Sequence, residues 1–262
     1  EARSVMRENP IKAAVKAGKV VVGVGLGMCA NPLVVRVLAN AGYDFLFIDT
    51  EHSLISPESL VQVVQMARAT GISPIVRPTD NTYPLVANAL DAGADGLIVP
   101  RIETVEQAER LVSYAKYPPM GVRGCGGSAF FDYMTPNWAE GLPWLNEETI
   151  IMPQVESVKA IENLDKTLKV PGVYGVIVGP QDLSISLGIP GQHGHPREVE
   201  AIDHVLAVCK AHNKPCGIVM ASGDLAKPWV EKGMQIVVAG TDATMLAQTG
   251  ARNVQTVRSV IG

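Results

Sequence analysis

The hydrophobic positions of this chain form eight short runs without polar alternation, separated by stretches in which apolar residues recur every three or four positions. Strands that are apolar on both faces are typical of buried parallel sheets, and the spacing between them is that of amphipathic helices. The pattern therefore predicts eight strand–helix units. The predicted strands are Val20–Val24, Phe45–Ile48, Pro74–Val76, Gly96–Val99, Ile150–Val155, Gly175–Val178, Cys216–Val219 and Ile236–Ala239.

Several predicted helices have clear start signals. Asn31 and Ser56 each precede a proline, so a capping side chain stands before a residue that suits the first helical position. Thr104 and Gln107 have the spacing of a capping box. Apolar periodicity predicts helices at Pro57–Thr70, Tyr83–Ala92, Val105–Lys116, Val158–Leu168 and Arg197–His212.

A faint repeat supports one fold for the whole chain. The segments NAGYDFLFID, DAGADGLIVP, VPGVYGVIVGP and EKGMQIVVAG share a helix end, a glycine and an apolar strand. Eight such units predict an α/β fold, a TIM (β/α)8 barrel, as a single domain over residues 1–262. The alternative is a doubly wound dinucleotide-binding sheet. Its glycine fingerprint would need a glycine at Met28, after Gly23 and Gly25, so the sequence does not favour an NAD site.

Composition and charge narrow the function classes. A formal net charge of −4 and a pI near 5.8 argue against nucleic-acid binding, which normally uses a basic face. No apolar run has the length of a membrane span, and the first residues lack the apolar core of a secretory signal. The four scattered cysteines predict a reducing, cytoplasmic environment and neither a disulfide framework nor a structural zinc site.

Polar residues cluster at the ends of the predicted strands. In a TIM barrel the active site lies at the carboxyl ends of the strands, whereas the amino ends here carry mainly Gly, Pro, Asn and Lys. This asymmetry predicts a site at the carboxyl ends. Its polar residues are Asp49, Thr50, Glu51 and His52 after the second strand, Arg77 after the third, Arg101 and Glu103 after the fourth, Gln154 and Glu156 at the fifth, Pro180, Gln181 and Asp182 after the sixth, and Thr241 and Asp242 after the eighth.

Two carboxylates end neighbouring strands. Glu156 follows the fifth strand and Asp182 the sixth, and their charges would repel each other without a cation or proton between them. A hard divalent ion, Mg²⁺ or Mn²⁺, fits oxygen ligands and keeps positions open for water and substrate. The alternative is that both only serve helix starts, with Ser157 as one cap and Asp182 as the other.

A histidine and an arginine complete the predicted site. His52 stands three residues after Asp49, a pairing that suits a general base whose tautomer the carboxylate fixes. Arg77 ends an apolar strand, where a guanidinium needs an anionic partner. The alternatives are an exposed loop histidine, and a structural ion pair of Arg77 with Asp80 or Glu51.

Lysine placement separates two ways of activating a ketone, a Schiff base and a metal ion. The lysines lie on predicted helices or at strand starts, as Lys19 and Lys214 do. None ends a strand, so the sequence predicts neither a Schiff-base lysine nor a PLP site.

Three further features are interpreted more simply. His193 and His195 resemble a metal pair but lie in a Gly- and Pro-rich loop, which predicts loop residues. Asp242 is predicted to cap a helix. An aromatic segment before the fifth strand is either a functional loop or a contact between subunits. Its aromatic residues are Phe130, Phe131, Tyr133, Trp138 and Trp144.

From about Gly23 to about Ala247 the chain contains the segments FLFIDTEHS, PIVRP, DAGADGLIVPRIETVEQAERLV, YPPMGVRG, PQVES and VIVGPQDLSISLG. As a set they resemble the HpcH/HpaI class II aldolases, which cleave 4-hydroxy-2-oxo acids to pyruvate and an aldehyde. The resemblance implies a TIM barrel in a homohexamer built from dimers that exchange a C-terminal helix. It implies small-molecule substrates only: pyruvate, aldehydes and 2-oxo acids.

Carried over position by position, the resemblance implies that Glu156 and Asp182 bind Mg²⁺ or Mn²⁺, with Co²⁺ or Zn²⁺ as alternatives. Arg77 would neutralise the enolate oxygen, and His52, oriented by Asp49, would accept the C4 hydroxyl proton. The other implied positions are Gln154 and the backbone of Gly179, Pro180 and Gln181 around the pyruvate carboxylate, Glu51 at metal-bound water, and Asp91 and Arg123 facing the site, Asp91 from a neighbouring subunit.

Other functions stay open beside the aldolase. One is a different lyase on the same scaffold, an oxaloacetate decarboxylase or a lyase for acyl-CoA esters. Another is a non-catalytic binding barrel, which would not need an oriented base such as His52. Gln181 departs from the family pattern, where many members have alanine. The 26–28 region and the aromatic segment also depart from it, so the aldehyde is not defined.

Overall fold

The protein is described by a computed structural model that covers residues 6–126 and 129–260. Eight parallel strands pair in sequence order and close into a barrel, with β1 beside β8. This confirms the predicted TIM barrel. The strands are β1 (Val21–Leu26), β2 (Phe45–Asp49), β3 (Ser73–Arg77), β4 (Gly96–Val99), β5 (Ile150–Val155), β6 (Val176–Val178), β7 (Cys216–Met220) and β8 (Ile236–Thr241).

Every predicted strand is present, and the differences lie at the strand ends. β1 runs to Leu26 and β8 to Thr241, beyond their predicted ends. These two strands pair with each other, and Gly25 faces Thr241 across a register shift. Pairing between the first and last strands extends both of them, which the local pattern of either strand cannot indicate.

The helices alternate with the strands, and all five predicted helices are found, with one interruption. Asn31, Ser56 and Thr104 cap their helices as predicted, Thr104 in a capping box with Gln107. Asn163 divides the predicted helix Val158–Leu168. The helices are α1 (Pro10–Lys16), α2 (Pro32–Asn40), α3 (Pro57–Thr70), α4 (Tyr83–Asp91), α5 (Val105–Ala115), α6 (Trp138–Glu148), α7 (Val158–Glu162), α8 (Leu164–Thr167), α9 (Pro180–Ser186), α10 (Pro196–Ala211), α11 (Gly223–Lys232) and α12 (Asp242–Arg258). Within the described ranges, none of the helices is long and apolar enough to cross a membrane.

Two apolar layers hold the barrel together. The larger one packs the outer faces of the strands against the helices. The smaller one fills the barrel interior, where a side chain at Gly23 would overlap the ring of Phe45. Because the interior is packed and is not a channel, ligands can enter only at its ends. The interior residues include Phe45, Phe47, Ile75, Ile98, Ile150, Met152, Ile177, Ile236 and Val238.

The aromatic segment builds a small separate core. Phe130 and Phe131 are buried in a short 3-10 turn and pack with Trp144 of α6. The guanidinium of Arg68 lies over the Phe130 ring and donates to Asp95 Oδ1 at 3.1 Å. Asp95 directly precedes β4, so this core lies at the amino ends of the strands. In a single chain these aromatic residues therefore lie away from the cavity at the carboxyl ends of the strands.

Candidate active site

A cavity of about 720 Å³ opens at the carboxyl ends of the strands. A second cavity, of about 730 Å³, lies at the opposite end beside α1 and α10 and contains none of the predicted site residues. The cavity at the carboxyl ends is therefore the one that contains the residues predicted from the distribution of polar positions along the chain. The predicted residues that line the first cavity are Asp49, His52, Arg77, Gln154, Gly179, Pro180, Gln181 and Asp182.

Asp49 and Arg77 form the centre of one wall. They are register partners at the ends of β2 and β3. Arg77 Nε donates to Asp49 Oδ1 at 2.9 Å, and Nη2 donates to Oδ2 at 2.7 Å. Its Nη1 lies 3.3 Å from Glu51 Oε2. Burial alone would raise the pKa of Asp49, but the hydrogen bonds and charge of Arg77 outweigh it and hold that pKa below its usual value.

His52 projects from the loop after β2, and its side chain is 63% exposed. Asp49 Oδ1 accepts from the backbone N–H groups of Glu51 at 2.9 Å and His52 at 3.3 Å. Asp49 therefore fixes the turn that carries His52 and does not bond to its imidazole, contrary to the prediction of a tautomer-fixing pair. The imidazole Nε2 lies 3.7 Å from Glu51 Oε2.

Glu156 directly follows β5 and is 8% exposed. Its Oε1 accepts from the backbone N–H of Arg101 at 2.7 Å, and its Oε2 accepts from Gln154 Nε2. Burial raises the pKa of Glu156, and the negative charges of Asp182 and Glu51 raise it further. A nearby cation would relieve this electrostatic cost.

The surroundings of Glu156 fit a hard divalent ion. Gln154 Oε1 is buried and has no hydrogen-bond partner. A Cβ atom at Gly179 would lie 2.8 Å from Gln154 Nε2 and 3.2 Å from Glu156 Oε2, so the hollow beside the carboxylate requires glycine. Residues 6–126 and 129–260 contain no group of three His, Cys, Asp or Glu placed to share a metal ion. Mg²⁺ sites commonly use one or two carboxylates and keep several waters, so Glu156 with Asp182 is a sufficient pair.

Both carboxylates also lie at helix starts, as the alternative interpretation predicted. Ser157 caps α7, with Oγ accepting from the N–H of Ala160 at 3.1 Å. Asp182 lies in the first turn of α9, but Gly179 occupies the cap position, so Asp182 is not the predicted cap. A negative charge in a first turn is favourable. The same positions can therefore serve both the helices and a bound cation.

Arg101 is a site residue to which the sequence analysis gave no role. Its φ is 56°, in the left-handed region that side chains seldom adopt. This turn directs its backbone N–H at Glu156, while its Nη1 lies 3.1 Å from Glu51 Oε1. Strained backbone of this kind persists where the surrounding contacts determine it, often at functional sites. No sequence pattern would have revealed it.

Asp242 holds the loop that follows β1. Its Oδ2 accepts from the backbone N–H groups of Met28 at 2.8 Å and Cys29 at 2.7 Å. The N–H of Gly27 also points to this carboxylate, at 3.3 Å. Thr241 caps α12, so the prediction that Asp242 is the helix cap was wrong. The position after β8 was the only sequence signal for this role.

The side chain of Gln181 contacts His193, in the loop after α9. Its Oε1 lies 3.0 Å from His193 Nε2, and His193 Nδ1 lies 3.1 Å from Glu198 Oε1. His195 caps α10, its ring accepting from the N–H of Arg197 at 3.2 Å. The two histidines are therefore loop and cap residues, as the simpler interpretation predicted.

Asp91 and Arg123 lie apart from the cavity within one chain. Asp91 ends α4, and Arg123 Nη2 donates to its Oδ1 at 2.6 Å. The guanidinium also lies 4.7 Å from the centre of the Tyr117 ring. Neither residue lines the cavity. Their predicted contact with a site could come only from a neighbouring chain.

Comparisons with known proteins find similarity to one family along most of the chain. The model of the family described as "HpcH/HpaI aldolase/citrate lyase" matches residues 28–249. A "2-keto-3-deoxy-L-rhamnonate aldolase" from Escherichia coli strain K12 is 34% identical over 243 residues, 93% of this chain and 90% of that protein. A "4-hydroxy-2-oxo-heptane-1,7-dioate aldolase" from Salmonella typhimurium is 34% identical over 241 residues, 92% of this chain and 91% of that protein.

A solved structure shares the whole architecture. The crystal structure of an HpcH/HpaI aldolase from Desulfitobacterium hafniense superposes with a TM-score of 0.91 at 37% identity. The superposition covers 94% of this chain and 96% of that one. Likeness in sequence and in fold therefore extends over nearly the full length of both proteins.

Proposed function

The chain belongs to the HpcH/HpaI aldolase/citrate lyase family and is a carbon–carbon lyase, and we propose that it cleaves 4-hydroxy-2-oxo acids to pyruvate and an aldehyde as a metal-dependent class II aldolase. One observation carries the proposal. The Asp49–Arg77 pair, His52, Gln154 and Asp182 line one cavity at the carboxyl ends of the strands, and Gln154 donates to Glu156 directly behind this lining.

The reaction breaks the bond between C3 and C4 of the substrate. The C4 hydroxyl loses its proton and becomes the aldehyde carbonyl, and the electron pair of the broken bond moves to the enolate of pyruvate. A proton then adds to C3 and gives the methyl group. Catalysis therefore needs a proton acceptor near C4 and positive charge near the C2 oxygen.

Arg77 and His52 supply these two needs. Asp49 and Glu51 contact three nitrogens of Arg77, and a guanidinium carries five N–H donors. At least two donors therefore remain for the C2 oxygen, and the bonds to Asp49 fix their direction. His52 stands at the mouth, exposed and in the cavity wall, where it would accept the C4 hydroxyl proton, directly or through a water molecule.

Glu156 and Asp182 would hold the divalent ion, Mg²⁺ or Mn²⁺. When bound, the ion would supply Lewis-acid charge stabilisation to the oxo acid. Gln154 and the backbone from Gly179 to Gln181 line the adjacent end of the cavity and would hold the pyruvate carboxylate. The buried Gln154 Oε1, which lacks a partner, supports an occupied site at this point.

The assembly is proposed to be a homohexamer of helix-exchanged dimers. In α12 only Asp242 is buried. Leu246, Val254 and Val257 of the same helix are 57%, 49% and 64% exposed. Exposed apolar side chains on one long helix support its docking on a second copy. A neighbouring copy would also give Asp91 and Arg123 access to a site. The four free cysteines support work in a reducing cytoplasm.

The test is loss of the pyruvate methyl proton signal in D₂O, followed by NMR. We expect exchange with Mg²⁺ or Mn²⁺ and none after EDTA. Glu156→Gln keeps the shape but removes the charge, so we expect it to lose both exchange and Mn²⁺ binding, measured by calorimetry. Glu140→Gln on α6 is the matched control and should change neither. Metal-independent exchange, or none at all with pyruvate bound, would overturn the proposal.

A further inference from the structure

The cavity has two ends of different chemistry. Because the closed barrel runs from β1 to β8 in order, β1 lies opposite β5. The β5–β6 end presents Gln154, Gly179 and Asp182, where the proposed function places the oxo acid. The opposite end, formed by residues after β1, β2 and β8, is left for the aldehyde part of the substrate.

The apolar side chains that line this opposite end of the cavity, which we call the acceptor wall, are exposed ones: Met28, Leu54 and Ala243. Met28 is 59% exposed and Leu54 is 103% exposed, so both side chains meet water. Covering such side chains with an apolar group is favourable because it removes apolar surface from water. The acceptor wall therefore favours the binding of an apolar ligand group.

Apart from His52, the proposed base, the polar side chains of the acceptor wall are Ser53, Thr241 and Asp242, and all three are already bonded within the protein. Ser53 Oγ donates to the carbonyl of Asp49. Thr241 Oγ1 bonds to Thr244 Oγ1 at 3.2 Å. The carboxylate of Asp242 accepts the backbone N–H groups of the loop after β1. Away from His52, a hydroxyl or carboxylate on the aldehyde would lose its water here without gaining a side-chain partner.

The charged side chains that line the cavity also disfavour an anionic substituent on the aldehyde. Arg77 is the only Lys or Arg among the described lining residues, and its charge is shared by Asp49 and Glu51. The other charged lining residues, Asp182 and Asp242, are acidic. An anionic substituent at the acceptor wall would therefore find no unshared Lys or Arg side chain among the described lining residues.

We propose that the aldehyde handled by this site carries an uncharged, apolar substituent that packs against Met28 and Leu54. The inference rests on the proposed aldolase function and adds the class of its second substrate. An aldehyde with a terminal carboxylate or several hydroxyls is a poor substrate.

The experiment compares three aldehydes in condensation with saturating pyruvate and Mg²⁺. 4-Methylpentanal is the neutral isostere of succinic semialdehyde, and glyceraldehyde carries hydroxyls. We expect kcat/KM for 4-methylpentanal to exceed both others by about 10-fold or more, the usual weight of apolar pocket contacts. Equal or better use of succinic semialdehyde or glyceraldehyde overturns the inference.

Variants of the acceptor wall make the test specific to these side chains. Leu54→Ser and Met28→Ser should each lower the preference for 4-methylpentanal several-fold, and Leu54→Arg should raise kcat/KM for succinic semialdehyde. Val37→Ser is the control, since Val37 is 65% exposed on α2 and does not line the cavity. An unchanged preference in both serine variants would also overturn the inference.

Pyruvate methyl exchange without any aldehyde separates this inference from the proposed function. Exchange with the wrong order of aldehydes overturns only the apolar acceptor. Absence of exchange overturns the aldolase itself.

Discussion

Asp49 and Arg77 face each other across β2 and β3 through two parallel hydrogen bonds, of 2.9 and 2.7 Å. Asp49 also accepts the backbone N–H groups of Glu51 and His52. One carboxylate thus fixes both the guanidinium and the turn that carries the proposed base. The positions of the proposed electrophile and base therefore depend on each other.

Replacing Arg77 by lysine should distinguish the effect of its positive charge from the effect of its paired hydrogen bonds to Asp49. An ammonium group keeps the charge but cannot make the paired bonds to Asp49. We expect Arg77→Lys to lower kcat by about 100- to 1000-fold, the usual loss for one oxyanion donor, with a smaller change in KM. Steady-state aldol cleavage measures this. Arg36→Lys, on the exposed side of α2, should match the parent, and equal kcat in Arg77→Lys would refute the role of paired bonds.

Removing the imidazole of His52 should affect cleavage more than pyruvate binding. General acid–base groups contribute about 100- to 10,000-fold, so we expect His52→Ala to lose at least 100-fold in cleavage rate. Pyruvate affinity, measured by calorimetry with Mg²⁺, should stay within a few-fold. The control is His204→Ala on the exposed face of α10. Undiminished turnover would remove His52 from the mechanism.

Asp242 should control the order of the loop after β1. In Asp242→Asn an amide NH₂ replaces one oxygen and faces backbone donors. We expect faster hydrogen exchange at Met28 and Cys29 and a loss of about 1–3 kcal/mol in unfolding free energy, the cost of unpaired buried groups. Asp80→Asn, at an exposed position, is the control. Unchanged exchange at these two amides would show that the carboxylate is not what orders the loop.

Lys116 should give the protein a pH-dependent stability. Its Nζ donates to the carbonyls of Asn146 at 2.5 Å and Thr149 at 2.7 Å. Burial, aided by the charge of Lys12, lowers the pKa of Lys116 to about 7. A neutral amine still has two N–H donors for these two carbonyls.

The direction of the pH dependence follows from the number of protons that the folded and unfolded chains bind at Lys116. Between the folded pKa of about 7 and the unfolded value near 10.4, the unfolded chain binds more protons at Lys116. Unfolding free energy from this group therefore rises with pH, by roughly 1.4 kcal/mol for each pH unit. Urea unfolding at pH 7.5 and 9.5 should show this rise relative to Lys116→Met. Lys227→Met, an exposed control, should keep it, and parallel curves for parent and Lys116→Met would contradict the prediction.

The strands, and most of the polar residues that line the cavity at their carboxyl ends, could be predicted because both follow from local rules. A strand buried on both faces must be apolar, and a site at the carboxyl ends must place polar residues directly after it. Helix α6 was not predicted because Gly141 and Pro143 lie within it and hide its periodicity. Tertiary packing of Leu145 and Trp144 with the aromatic core outweighs the poor local propensity.

The contacts within the site could be predicted only in part. The spacing of Asp49 and His52 indicated that they are near each other, but side-chain direction decided that Asp49 holds a backbone N–H. The left-handed turn of Arg101 and the reach of Asp242 to Met28 depend on distant strands. Such contacts carry no periodic signal, and only the closed barrel brings them together.

The bond from Asp242 to Gly27 joins residues 215 positions apart in the chain. During synthesis the chain leaves the ribosome from its N-terminal end, so Gly27 emerges long before Asp242. The loop after β1 is therefore synthesised early, but it cannot donate its hydrogen bonds to Asp242 until β8 has been made. A nascent chain can complete its seventh strand and still lack a finished binding site.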